Sequence, residues 1–423
     1  YKRIHDYVNE DKENYKHSQL YGEAGVKIDS EGKLKIEGAD IQAVGSVFLR
    51  GKLGLEVMPG TEVSSKYEKH TNRGLRLANI MVGLKDFFTG RKDMKDKLVS
   101  KSIGTVINSK EGSITVEGDY IISVGSKIGA AGDINLSGVN GVLLKDGENF
   151  ESLKELNEKM KTGTYGRIGG KNWSGSFGAE GYYTRDINKT TIKDPEKNIF
   201  VTNGSIYIKS SEGNIQLQGD LAAKQNIGIS AEKGKISIID SQRKVLSKSE
   251  NISAQTGFTV NATLGGIKDT ILSYKDYLKM VTEMRNVGKV TSLIKDIAEG
   301  KSLLESLDGK EETLNTLNTY LKGPSSGGVS AGVTAAGAGS YGKTVNEYIQ
   351  SIATNLRAGN DITLKSNELE LYGGVVKGDH DVSLEAKKIN VNASEDSYIS
   401  NMKNIASAGN YDIFSRRGGG SIN

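Results

Sequence analysis

The sequence predicts a mainly β protein: a parallel β-solenoid of about 20 residues per coil, interrupted by helical inserts. Two observations carry this. Apolar doublets of the form Ile-x-Leu recur along the chain, and the recurrence has a constant step. In the stretch Ala358–Ser394 the doublets are Ile362/Leu364, Leu369/Leu371, Val382/Leu384 and Ile389/Val391. In Ala24–Val57 they are Val26/Ile28, Leu34/Ile36, Val47/Leu49 and Leu55/Val57. In Asn203–Ile238 they are Ile206/Ile208, Ile215/Leu217, Ile227/Ile229 and Ile236/Ile238, and a shorter version occupies Glu111–Leu136.

Alternation with period two means strands with one buried face. The step is 21 residues from Val26 to Val47 and from Ile206 to Ile227, and 20 from Ile114 to Ile134 and from Ile362 to Val382. A constant step places the strands in a stack, so that Ile, Leu and Val pile into one interior ladder. Hairpin signals of the Asn-Gly type are scarce between the runs, and Gly-containing corners stand there instead. An antiparallel sandwich is the competing arrangement, but it requires no constant coil length. With a rise of about 4.8 Å per coil, roughly a dozen coils would give a rod on the order of 60 Å.

A larger period overlies the coils. Gly25, Gly112, Gly204 and Gly359 are 87, 92 and 155 residues apart. The pattern divides the chain into a β-helix unit at 1–73, a helical insert at 74–101 and coils at 102–147. A short helix at 148–163 and a Gly-rich segment with a second unit at 164–265 follow. A helical insertion at 266–323 and a Gly/Ala/Ser-rich segment with a last unit at 324–423 complete the chain. The helical expectations rest on Leu75–Phe88, Glu148–Lys161 and Ile267–Gly323, whose apolar residues fall on amphipathic stripes. Thr164–Thr191 and Pro324–Thr344 lack periodicity, and their small residues suit either loops or strands of little side-chain bulk.

Composition narrows the function classes. The 56 Lys and Arg against 52 Asp and Glu are interspersed, giving a net charge of +4 and no argument for nucleic acid as a partner. Absence of cysteine excludes disulfides, thiolate zinc sites and a cysteine nucleophile. No stretch approaches the ~20 apolar residues of a membrane-spanning helix. The opening "YKRIHDYVNE" reads as a segment cut from a longer protein.

Motifs that suggest chemistry are weak. "GAGSYG" at Gly337–Gly342 has the letters of a dinucleotide fingerprint without the flanking strand, helix and later acid that give it a mechanism. His5, His17, His70 and His380 form no metal-binding spacing, so no metal, cofactor or catalytic residue is assigned. Asp379-His380-Asp381 reads as an exposed corner. Trp173, Tyr182 and Tyr183 are the one notable aromatic cluster, either an interaction patch for sugar or protein or a group buried against the rod.

The repeats "AGNDITLKS" (Ala358–Ser366), "AGDINLS" (Ala131–Ser137) and Asn203–Ser210 resemble those of filamentous haemagglutinins and other two-partner-secretion exoproteins, including contact-dependent growth inhibition effectors. "GGVSAGVTAAGAGSYGK" and "SGSFGAEGYYTRDINKTT" resemble the linkers that precede such repeats. The resemblance implies a right-handed parallel β-helix, exported by an outer-membrane two-partner-secretion transporter and displayed on the bacterial cell surface. It implies contact with a receptor or envelope of a target cell and, in growth-inhibition effectors, a C-terminal toxin domain on the full-length chain. The expected function is a non-enzymatic rod in adhesion or toxin delivery. A carbohydrate-active β-solenoid enzyme and a membrane-translocation device built on the 266–323 insert are the alternatives.

Overall fold

Every strand of the computed structural model belongs to one of two assemblies, a parallel rod or an antiparallel sheet beside it. The structure describes residues 2–80, 83–169, 174–264 and 329–417. After β1 (Lys2–Glu13), coil 1 is β2 (Ser18–Gly22), β3 (Gly25–Ser30) and β4 (Lys33–Glu37). Coil 2 is β5 (Ala39–Ala43), β6 (Ser46–Gly51) and β7 (Gly54–Met58), followed by the long β8 (Gly60–Ile80) and β9 (Gly83–Ile103). Coil 3 is β10 (Val106–Ser109), β11 (Ile114–Gly118) and β12 (Ile121–Val124). Coil 4 is β13 (Lys127–Ala130), β14 (Ile134–Gly138) and β15 (Gly141–Lys145), then β16 (Gly147–Gly169) and β17 (Ser174–Glu196). Coil 5 is β18 (Ile199–Thr202), β19 (Ile206–Ser210) and β20 (Asn214–Leu217). Coil 6 is β21 (Asp220–Ala223) and β22 (Ile227–Ile239), then β23 (Ser241–Leu264) and β24 (Val329–Ile352). Coil 7 is β25 (Asn355–Ala358) and β26 (Ile362–Tyr372), and coil 8 is β27 (Val375–Gly378), β28 (Val382–Glu385) and β29 (Lys388–Asn392). The last strand is β30 (Ser397–Arg417).

The expected steps are the observed pairings. Val26 stands on Val47, Ile114 on Ile134, Ile206 on Ile227 and Ile362 on Val382, all in parallel register. The doublets are the core: Val47, Leu49, Leu55, Ile206, Ile208, Ile215, Ile227, Ile229, Ile362 and Leu364 are each at most 1 % exposed. Such burial is worth about 1.5–3 kcal/mol per aliphatic side chain, with close packing added. A third column, from β2 through β27, closes the coil with a single large residue per layer: Ile41, Ile107, Ile128, Phe200, Leu221 and Leu356. Among the described residues the rod has eight coils where about a dozen were expected, roughly 35 Å of stack at the usual strand spacing.

The remaining described strands form the second assembly. β1, β8, β9, β16, β17, β23, β24 and β30 make one antiparallel sheet in that order. We call it the fin. It has eight strands for eight coils, because a hairpin leaves after every second coil. Fin strands and coils share the same strand spacing, so both assemblies advance at one pace along the stack. Two coils plus one hairpin account for the intervals of 87 and 92 residues between the aligned glycines.

Two helical expectations are therefore corrected. Residues 74–101 lie in β8 and β9 except for 81–82, and 148–163 lie in β16. Helix preference amounts to less than about 1 kcal/mol per residue, whereas each of these strands gains backbone ladders on both sides. The insertion expected at 266–323 lies outside the described residues. Of the aperiodic segments, residues 164–169 lie in β16, 174–191 in β17 and 329–344 in β24, strands rich in small side chains.

Which corner sends out a hairpin is decided by local residues. Odd coils pass straight to the next layer through glycines with positive φ: Gly38 (49°), Gly125 (53°), Gly219 (114°) and Gly373 (63°). A Cβ on Gly125 would sit 3.1 Å from the Cα and N of Gly147, where the fin leaves coil 4. Gly125→Ala should cost about 2 kcal/mol from the left-handed backbone alone, measurable as a lowered urea midpoint. An unchanged midpoint would show that the corner carries no such strain.

Where each hairpin re-enters the rod, a fully buried polar residue ties together the start and the end of the preceding coil: Thr105, Asn198 and Thr354. Thr105 Oγ1 donates to the Met58 carbonyl at 2.7 Å and accepts from the Ala39 amide at 3.3 Å. Thr354 Oγ1 donates to the Ile239 carbonyl at 2.6 Å and accepts from the Gly219 amide at 3.2 Å. At the middle re-entry Asn198 Oδ1 accepts from the Ser126 amide at 2.9 Å. Its own amide donates to Asp146 Oδ1 at 2.7 Å, and Ser241 Oγ donates to Asp146 Oδ2.

Burial pushes the Asp146 carboxyl above its ordinary range, against the two hydrogen bonds that favour the anion. A raised folded-state pKa favours the fold below the unfolded value of 3.8, and this contribution is lost as pH rises through the folded value. Asp146→Asn should therefore match or exceed the native chain in thermal stability at pH 7, with the difference shrinking toward pH ~4. Asp146→Ala removes both acceptors and should cost about 2 kcal/mol. Equal losses in both variants at pH 7 would contradict the assignment.

Candidate interaction surface

Tyr182 and Tyr183 are consecutive in β17, so their side chains take opposite faces of the fin. Trp173 lies outside the described residues. The structure therefore does not gather the two tyrosines into one patch. Tyr183 is half-buried beside Met160 and Ala254, its register partners. Burial first, and the Glu158 carboxylate next, push its phenol up to about 12. Tyr182 is 45 % exposed on the other face.

The face of Tyr182 has a distinct chemistry. The register places Tyr182, Gln255, Ala338 and Ala408 side by side on four neighbouring strands. Ser253, Ser340 and Ala406 make the next row, with the two serine hydroxyls 2.7 Å apart. Together they line an open trough of about 430 Å³ with Tyr182 at its side. Sequence reasoning singled out the tyrosine but not its neighbours, which come from three strands and meet through long-range register alone. A shallow floor of Ala, Gly and Ser beside one exposed ring can receive a flat partner with one polar and one apolar edge.

Asp379-His380-Asp381 is an exposed corner, and its surroundings explain its residues. From coil 2 onward the corner side chain of each layer accepts the amide of the same corner in the next layer. Ser46 accepts from Ser113 (3.2 Å), Ser113 from Asp133 (2.9 Å), and Asp133 from Ser205 (2.7 Å). Ser205 accepts from Asn226 (3.3 Å), Asn226 from Asp361 (3.2 Å), and Asp361 from Asp381 (3.1 Å). Asp361 Oδ1 also meets His380 Nδ1 at 2.8 Å, and Asp381 lies 3.3 Å from that nitrogen. These hydrogen bonds and charges hold the His380 imidazole above its ordinary pKa. The three donor groups lie within 4.8 Å of one another, and their mutual pairing is the last rung of the corner ladder.

Among the described residues no helix is long and apolar enough to cross a membrane. The reading of 266–323 as a translocation device falls outside those residues.

The described residues contain four copies of one layout: a returning fin strand, two coils and an outgoing fin strand. The hemagglutinin repeat family model matches residues 320–413, which take in β24, coils 7 and 8 and most of β30. A 16S rRNA endonuclease CdiA of Enterobacter cloacae subsp. cloacae is 21 % identical over 331 residues, covering 76 % of this chain and 9 % of that protein. The chain thus spans less than a tenth of the length of that relative. No solved structure matches. With a hemagglutinin repeat in its last unit, the same layout in the three units before it, and a CdiA likeness along most of its length, the chain is similar to filamentous haemagglutinin-like repeat proteins.

Proposed function

We propose that the chain is a non-enzymatic rod segment of a secreted, cell-surface exoprotein, acting in adhesion or in contact-dependent delivery of a C-terminal toxin. The observation that carries the reading is the commensurate unit: every second coil adds one hairpin to a fin of constant pace. That construction lengthens without limit and repeats its surface, which suits reach and display. The coil is right-handed in this reading, in line with the strong preference of parallel crossover connections. An outer-membrane two-partner-secretion transporter exports the unfolded chain, and each coil that folds outside buries an apolar layer on a preformed end. Contact with a target-cell receptor or envelope falls to the fin, with Tyr182 as its aromatic anchor.

A competition assay tests this. The purified 423-residue chain should reduce attachment of its full-length parent to target cells, and Tyr182→Ala should weaken the competition several-fold. Failure of the chain to compete would reject the contact role. In parallel, an Asp/Glu-to-Ala scan against a panel of polysaccharides should find no degradation to lose. A carboxylate pair whose removal abolishes sugar cleavage would establish the enzyme alternative instead.

A further inference from the structure

The fin face opposite Tyr182 carries a line of lysines whose ammonium groups make no ion pair among the described residues. Lys154 of β16 stands directly across from Lys189 of β17, and Lys189 directly across from Lys248 of β23. On the next two strands the line continues one diagonal step away, with Lys343 of β24 across from Lys403 of β30. Five consecutive strands thus contribute one lysine each, and all five are exposed. Directly opposed residues share a face, and like charges in that position destabilise a sheet. Elsewhere the fin answers such charges with acids, as in Lys95–Glu155 and Lys97–Glu151. Here Asp96 opposes Lys154 and Glu250 opposes Lys343. Yet among the described residues no carboxylate is in ion-pair contact with any of the five ammonium groups.

We infer that this line binds a linear acidic polysaccharide lying across the fin strands, parallel to the stack of coils. The lysines are spaced at the strand separation of about 4.8 Å and cover about 19 Å, so a chain with one acid group per sugar can meet them in succession. The line is one residue wide at each strand, and Glu250 and Glu347 share its face. A broad anionic membrane would press against those acids, whereas a single polymer chain passes beside them. Exposed ammonium groups on flexible stems tolerate variation along such a polymer, which suits a repeating surface. The inference uses the face turned away from Tyr182 and stands whether or not the adhesion reading holds.

The test measures binding of the intact chain to polygalacturonate at low and moderate salt, with neutral dextran, duplex DNA and phosphatidylglycerol vesicles alongside. The triple variant Lys154→Gln, Lys189→Gln, Lys248→Gln should bind polygalacturonate at least tenfold more weakly. It should also lose about 2 from the slope of log affinity against log salt, as three fewer counterions are released. Its melting temperature should rise slightly, because the mutual repulsion is gone. A control triple at Lys27, Lys35 and Lys52, whose ammonium groups already face Asp29, Glu37 and Glu31, should bind like the native chain. No binding of polygalacturonate, an equal loss in the control, or tighter binding of DNA or vesicles would each overturn the inference.

Discussion

Deleting coil 3 alone, residues 105–125, should abolish the cooperative thermal transition, whereas deleting 105–197 should preserve it. The second deletion is far larger. It removes coils 3 and 4 together with the hairpin of β16 and β17, leaving six coils beside six fin strands. Ile103 and Gly104 then lead into Asn198, which occupies the position of Thr105 and offers the same buried polar side chain. The first deletion leaves seven coils beside eight fin strands. β9 and β16 would then enter and leave the same layer, and one of them must give up its ladder. A sheet strand denied its partners leaves a row of backbone groups unpaired. Circular dichroism with thermal melting and limited proteolysis of the fin decide the matter. Tolerance of the short deletion would mean that rod and fin are not coupled layer by layer.

Ile227→Asp should be the most damaging single substitution in the rod. Ile227 is 1 % exposed, sits between Ile206 and Ile362 in register, and begins β22, the strand that joins two faces of coil 6. Truncation to Ala would cost about 2–5 kcal/mol through lost contacts and a residual cavity. A carboxylate there is buried without a partner and costs more, because it must be protonated or must pull water into the ladder. Ile227→Asp should therefore leave no folded chain at neutral pH. By contrast, Val391→Asp, at a side chain 67 % exposed in coil 8, should change the melting temperature little. Solubility and melting curves compare the two directly, and similar behaviour of both variants would show that the doublets of the middle coils are not the core.

The parts of the fold legible in the sequence are those with one-sided burial. Two faces of each coil put two large aliphatics inward, and period two follows, so Val26, Val47, Ile206, Ile227, Ile362 and Val382 paired at the steps of 21 and 20 residues read from the sequence. The third face gives a weaker signal. Its inward positions hold one large residue followed by a small one, as in Ile41 and Ala43, Phe200 and Thr202, or Leu356 and Ala358. Such a pair does not register as a doublet.

The fin hides for a different reason. Neither of its faces is buried as a whole, so its strands show no alternation. In β16 Phe150, Leu156 and Met160 share one face while Leu153 lies on the other, a spacing that mimics a helical stripe. Only pairing with β9 and β17 determines that this segment is extended. The surface sites share this origin. Tyr182 could be named from its aromatic neighbours in sequence, but its trough partners and the lysine line are products of register between strands far apart in the chain.

Parallel, in-register stacking defines the rod, and disulfide trapping tests it in a chain that has no cysteine of its own. On the outer face of β11 and β14, Thr115 pairs with Asn135 and Glu117 with Ser137. Cysteines placed at 115 and 135, and in a second variant at 117 and 137, should both cross-link rapidly in the folded protein, since in-register partners lie within disulfide reach. Trapping between cysteines at 117 and 133 with none between 117 and 137 is the antiparallel result, and it would contradict the rod.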